Sequence, residues 1–139
     1  MEEWRAKAAE CFPEFREIVD EARDPICLWI DLFMCLCNAY DLTPPNDDMI
    51  RRIYDFADWC FRQPETDSVE TDLSSAVVVS LIESIPLDQR VAADLHRWFS
   101  IEDIKGFESL LRYHQIKEEY DKFLLDFIRK KAAQGNSRR

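Results

Sequence analysis

The sequence predicts an all-α protein, a single compact bundle of six to seven helices. Apolar residues recur at three- and four-residue spacing along most of the chain, which is the period of an amphipathic helix. Only two of the 139 residues are glycine, too few for a β-rich fold with many tight turns. The hydrophobic share of 47% is ample for one core. We expect one helical domain over 1–133 and a disordered tail over 134–139.

The first apolar stripe runs from Trp4 to Ala22. Pro13 interrupts it, so we expect a break near Phe12. The second helix follows, with Asp24 as N-cap, and extends to about residue 40. Its apolar residues lie on nearly every side, a pattern typical of a buried central helix.

Two prolines, Pro44 and Pro45, place a loop before the third helix. We expect that helix over 47–62, capped by Asn46. The segment 74–86 has three consecutive valines, which favour a strand by propensity. Its apolar positions nevertheless follow helical spacing, and we predict a helix there.

Three further helices complete the prediction. A fifth helix covers the stretch from Val91 to Phe99, and Ser100 caps a sixth, in which Gly106 is a weak point. The last helix is expected over about 116–132 and ends in Arg-Lys-Lys, which suits the negative end of a helix dipole.

The net charge of −10 disfavours nucleic-acid binding, which needs clustered Lys and Arg. The acidic excess lies in the first three quarters of the chain, while residues 105–139 carry nine basic and five acidic side chains. The N-terminus has no signal-peptide pattern, and no apolar run is long enough to cross a bilayer. We expect a cytoplasmic protein with reduced cysteines and no contact with membranes.

No motif predicts catalysis, a metal or a cofactor. Cys35 and Cys37 are two residues apart, so on a helix they point to different sides and belong to a core rather than to a metal site. Neither His96 nor His114 lies at a metal-binding distance in sequence from another ligand residue. Phosphate-binding loops are rich in glycine, so a sequence with only two glycines excludes one.

The remaining candidates are surface acids and one tryptophan. An exposed tryptophan ringed by acids suits a protein interface, where aromatic residues are often energetic hot spots. The predicted partner-binding residues are Asp55, Asp58, Trp59, Glu65, Asp67, Glu70 and Asp72.

Two short stretches carry a resemblance. "CFPEF" at 11–15 and "DLSSAVVVSLIESIP" at 72–86 resemble a group of small all-helical bacterial domains of unknown function. In size and acidity the chain is also similar to bacterial immunity proteins, which neutralise toxins by direct binding. The resemblance implies the fold and supplies no catalytic residues.

Three hypotheses follow for function. The leading one is a non-catalytic module whose acidic face binds a basic protein, for example a bacterial toxin. The second is a small-ligand-binding or enzymatic domain with a pocket between helices, in which Glu83 and His96 would be the polar contacts. The third is a plain homodimer joined through one apolar helix face, so that both monomer and homodimer stay open.

Overall fold

The computed structural model describes residues 2–67 and 72–137. Every regular element within these ranges is a helix and none is a strand, so the all-α prediction is confirmed. The predicted number of six to seven helices is wrong, because the described ranges contain nine α-helices and four short 3-10 helices. The α-helices are α1 (Glu3–Cys11), α2 (Arg16–Glu21), α3 (Pro25–Asp41), α4 (Asp47–Phe61), α5 (Leu73–Ser80), α6 (Gln89–Ala93), α7 (Ile101–Gly106), α8 (Glu108–Leu111) and α9 (Lys117–Ser137).

The additional helices arise where predicted helices are interrupted. The break expected near Phe12 is present, and a 3-10 helix over Pro13–Phe15 separates α1 from α2. The predicted sixth helix is divided at Phe107, directly after Gly106. The segment 74–86 is helical as predicted, although α5 ends at Ser80 and a 3-10 helix over Ile82–Leu87 contains Pro86.

The chain divides into two units between Leu81 and Ile82. We call them the N-terminal unit and the C-terminal unit and describe each separately. The single domain expected over 1–133 stays a prediction. At the C-terminus, α9 continues to Ser137 and so extends beyond the helix end expected near residue 132.

The core of the N-terminal unit lies where α3, α4 and α5 pack against one another, with α1 against α4. Side-chain caps fix the starts of its two longest helices. Oδ1 of Asp24 accepts a hydrogen bond from the backbone N–H of Cys27 (2.9 Å), which lowers the pKa of Asp24. Oδ1 of Asn46 likewise accepts from the N–H of Met49 (3.2 Å), so both predicted caps are confirmed.

Two arginines hold the first helices in place. Arg5 on α1 donates to the backbone carbonyls of Val19, Asp20 and Ala22, which lie at the end of α2 (2.7, 3.1 and 2.9 Å). These carbonyls are among those that a helix end leaves without an intrahelical partner. Arg52 on α4 likewise donates to the carbonyl of Cys11 at the end of α1 (2.9 Å).

Arg52 also binds two carboxylates. Its guanidinium donates two hydrogen bonds to Glu14 (both 2.7 Å) and a third to Asp48 (3.0 Å). The paired Arg–carboxylate geometry is the strong form of this interaction. It lowers the pKa of Glu14 to about 2 and raises the pKa of Arg52.

Helix α3 is buried on one side only, which corrects the prediction of a helix buried all round. Its inner face is fully buried and is formed by Leu28, Trp29, Leu32 and Leu36. On the opposite side, Ile30 and Met34 keep 54% and 56% of their surface exposed. A pattern of apolar residues alone could not show which sides of the helix another element covers.

In the C-terminal unit, α9 packs against α6, α7 and the 3-10 helix over Leu95–Arg97. Tyr120 and Phe127 of α9 supply its largest buried rings. Ser100 caps α7 in the predicted way: its hydroxyl accepts from the N–H of Asp103, and the Asp103 carboxylate accepts from the N–H of Ser100 (both 3.0 Å).

Within the described ranges, no helix combines the length and the hydropathy that crossing a bilayer would require.

Candidate protein-binding surface

A column of aromatic rings leads from the core of the N-terminal unit to its surface. Trp29 of α3 is fully buried and stacks on Phe56 of α4, with ring centroids 5.5 Å apart. Phe56 in turn stacks on Trp59, one turn further along α4 (5.9 Å). Phe12 closes the group edge-on against Phe56 (5.7 Å). Aromatic pairs at these separations stabilise beyond the area they bury, so the contact with Phe56 favours this orientation of the half-buried Trp59 ring.

Trp59 lines an open depression of about 360 Å³ on α1 and α4. We call this depression the Trp59 surface. It is formed by Lys7, Cys11, Asp55, Asp58, Trp59 and Arg62. The structure therefore brings together three of the seven predicted partner-binding residues, Asp55, Asp58 and Trp59, because they lie on one side of α4 at spacings of three and four.

The charges on the Trp59 surface are mixed rather than purely acidic. Asp58 forms an ion pair with Arg62 one turn later, and Lys7 lies 3.9 Å from Glu10. Asp55 is exposed and forms no ion pair among the described residues. Lys7 and Arg62 were not among the residues predicted from the sequence. The position of Lys7 depends on how α1 packs against α4, whereas Arg62 lies one turn after Asp58.

The other predicted acids lie after α4. Glu65 and Asp67 are exposed, and neither is paired with a cation in the described part of the chain. Asp72 is half-buried at the start of α5, where its Oδ2 accepts a hydrogen bond from the hydroxyl of Ser75, so it has a local structural role. Glu70 lies outside the described residues.

The two polar residues proposed for a pocket lie in 3-10 helices of the C-terminal unit. Glu83 and His96 are both half-buried, and Nδ1 of His96 is buried without a hydrogen-bond partner among the described residues. The C-terminal unit has an open cavity of about 380 Å³ between α6 and α9, with Gln89, Lys122 and Asp126 in its lining. Neither Glu83 nor His96 lines this cavity.

The cysteines are less central than the sequence predicted. Cys60 is fully buried, and its burial raises the pKa of the thiol to about 12. Cys35 and Cys37 are only half-buried on α3, so they do not mark the centre of the core. Burial also raises the pKa values of Cys11 and Cys35, which disfavours the reactive thiolate form. None of the five cysteines, all of which lie within the described ranges, forms a disulfide bond.

Across the described ranges, no three side chains of the His, Cys, Asp and Glu types converge in a way that would hold a metal ion. The expectation of no metal and no cofactor stays a prediction.

Comparison of the chain with protein-family models, with curated proteins and with solved structures finds no match in any of the three.

Proposed function

We propose that this chain is a non-catalytic protein-binding module and that its N-terminal unit binds a basic protein partner. The observation that carries the proposal is the position of Trp59. Its ring is half-buried, stacked on Phe56 and flanked by Asp55 and Asp58. A tryptophan whose orientation is favoured before binding loses less conformational freedom when a partner covers it, which is how aromatic anchors contribute to interfaces.

Charge supports a basic partner over an acidic one. The chain through Leu81 contains 18 acidic and 7 basic residues. At the Trp59 surface and in the loop after α4, the acids Asp55, Glu65 and Asp67 are exposed and bind no described cation. Such a field accelerates encounter with a positive surface and repels a negative one. Neutralisation of a basic toxin, the role that the resemblance to immunity proteins implies, is one form of this function.

The proposal is tested by affinity capture from lysate of the source cells, followed by quantitative mass spectrometry. The wild-type chain is compared with Trp59→Ala and with the charge variant Asp55→Asn. We expect a basic protein to be retained by the wild type and lost with Trp59→Ala, and its retention to fall in high salt because the acids act through a screened field.

Two matched controls make the comparison specific. Trp98→Ala removes a half-buried tryptophan from the C-terminal unit, and Glu17→Gln removes an exposed acid from α2. Both controls are expected to capture the same basic protein as the wild type. Equal capture by Trp59→Ala and the wild type would contradict the proposal, as would loss of the captured protein with Trp98→Ala alone.

A further inference from the structure

The outer face of α3 is a second surface of the N-terminal unit, separate from the Trp59 surface. Residues at spacings of three and four lie within an arc of about 100° on this helix. We call them the α3 outer face: Cys27, Ile30, Asp31, Met34 and Asn38. Ile30 and Met34 are more than half exposed, and Cys27 is half-buried. Because Ile30 and Met34 are one helical turn apart, their exposed side chains adjoin and form one continuous apolar strip that a partner can cover.

The composition of α3 restricts the chemistry of that partner. Residues 25–41 include two aspartates and neither lysine nor arginine. Asp31 is exposed between Ile30 and Met34, so the apolar row carries a negative charge at its centre. Met34 has a flexible, polarisable side chain, which adapts to the shape of apolar partners.

A depression of about 300 Å³ adjoins the α3 outer face, and Cys27 and Asp31 belong to both. Ile18 and Ala22 give it apolar walls, while Glu21 supplies a second carboxylate. Arg23 also lines this depression, and its guanidinium lies 3.8 Å from the carboxylate of Asp24. An apolar wall with carboxylates at its edge suits a lysine or arginine, whose aliphatic stem packs on the wall while its charged end meets the acids.

We propose that the α3 outer face binds an amphipathic helix of a partner protein, with apolar residues on one side of that helix and lysine or arginine beside them. Helices recognised in this way place their apolar residues at one-turn spacing, which matches the spacing of Ile30 and Met34. A second copy of this chain fits less well, because two such faces would bring one Asp31 towards another. The inference goes beyond the proposed function and does not depend on the Trp59 surface.

The test uses the full chain and three fluorescein-labelled 18-residue peptides. The first places leucine on one helical face and lysine elsewhere, the second replaces every lysine with glutamate, and the third has the composition of the first in an order without an apolar face. Binding is measured by fluorescence anisotropy at low and high salt. We expect the wild type to bind the first peptide and to bind neither of the others measurably.

Variants of the chain test whether the first peptide binds at the α3 outer face. The double variant Ile30→Ser/Met34→Ser should weaken binding of the first peptide by at least about tenfold, as expected for removal of central anchors. Asp31→Asn should weaken it less and reduce its salt dependence. Leu125→Ser, which removes an exposed apolar residue of α9, should leave it unchanged. Since Ile30 and Met34 are exposed, the variants should retain the wild-type circular dichroism spectrum.

Three results would overturn the inference: no binding of the first peptide, equal binding by the double variant, or an equal loss with Leu125→Ser. A fourth would come from analytical ultracentrifugation. If the wild type sedimented as a dimer and the double variant as a monomer, the α3 outer face would bind a second copy of this chain. Trp59→Ala should bind the first peptide as the wild type does, so the failure of this inference and that of the proposed function are distinguishable.

Discussion

The two units of this chain differ in charge and in the length of their helices. The chain through Leu81 has a net charge of −11, whereas the remainder has 10 acidic and 11 basic residues and a net charge of +1. The N-terminal unit is built on two long helices, α3 and α4, with stacked rings between them. In the C-terminal unit, only α9 is longer than six residues among the described α-helices. The stacked Trp59 ring and the acidic excess therefore lie in the same half of the sequence.

The largest expected effect tests the aromatic column of the N-terminal unit. Phe56→Ala removes the ring that contacts Phe12, Trp29 and Trp59, and it leaves a cavity in a fully buried position. We expect the free energy of unfolding to fall by about 3–5 kcal/mol. Chemical denaturation monitored by circular dichroism measures it.

A matched variant in the C-terminal unit sharpens this prediction. Phe107 is half-buried and contacts Phe99 edge-on (5.7 Å). Phe107→Ala should therefore destabilise the chain by less than Phe56→Ala does. If Phe107→Ala lowered the free energy of unfolding as much as Phe56→Ala or more, the rings around Phe56 would contribute no more to stability than the half-buried Phe99–Phe107 pair.

The next effect concerns the attachment of α1 to α2. Arg5→Ala leaves the carbonyls of Val19, Asp20 and Ala22 without their side-chain donor. We expect a loss of about 1–3 kcal/mol in unfolding free energy, because hydrogen bonds from a charged donor exceed neutral ones. Arg5→Lys is the control and should recover only part of the loss, since an ammonium lacks the forked geometry. Full recovery with lysine would contradict the account.

A smaller effect, of opposite sign, is expected in the C-terminal unit. Gly106 is the last residue of α7; its φ is not positive, and a Cβ built there meets no atom within 4 Å. Gly106→Ala should therefore raise the unfolding free energy by about 0.4–1 kcal/mol, because alanine restricts the unfolded chain. A thermal melt gives the sign, and a lower melting temperature would show that the break at Phe107 requires glycine.

The smallest effect is a pH dependence at the Arg52 cluster. The pKa of Glu14 is lowered to about 2 in the folded chain, so the carboxylate stabilises the fold above its ordinary pKa near 4.5, and this contribution is lost as the pH falls towards 2. Since the Glu14 side chain is 44% exposed, solvent screening limits the gain to about 1 kcal/mol or less. The stability difference between wild type and Glu14→Gln should be constant above about pH 5 and shrink below it.

The control for the pH experiment is Glu17→Gln, a nearby exposed glutamate without an ion pair among the described residues. Its stability difference from the wild type should be small at every pH. A Glu14→Gln difference that stays constant down to pH 2 would show that Arg52 does not hold this carboxylate.

The parts of the fold that the sequence predicted are those set by local chemistry. The break at Pro13 and the caps at Asp24, Asn46 and Ser100 depend on residues within one helical turn. The exposed side of α3 was missed although Asp31 and Asn38 lie on it, because Ile30 and Leu32 are equally apolar and tertiary packing decides which one is buried.

The residues of the candidate site likewise include some that the sequence could predict and others that only tertiary packing brings there. Asp55, Asp58 and Trp59 were predicted from the sequence as partner-binding residues, and the structure places all three on the Trp59 surface. The presence of Lys7 at the Trp59 surface could not be predicted, because it depends on the packing of α1 against α4. The stack beneath Trp59 likewise depends on Trp29, which is 30 residues earlier in the chain and follows no local pattern.

The central claim is that partner binding belongs to the N-terminal unit, and amide hydrogen exchange tests it most directly. Exchange of the full chain is measured by mass spectrometry with and without the basic protein that the wild type captures. The account predicts slower exchange on binding in peptides from 3–11 and 47–67, which contain the Trp59 surface, and no change in peptides from 101–137. Protection confined to 101–137 would contradict it.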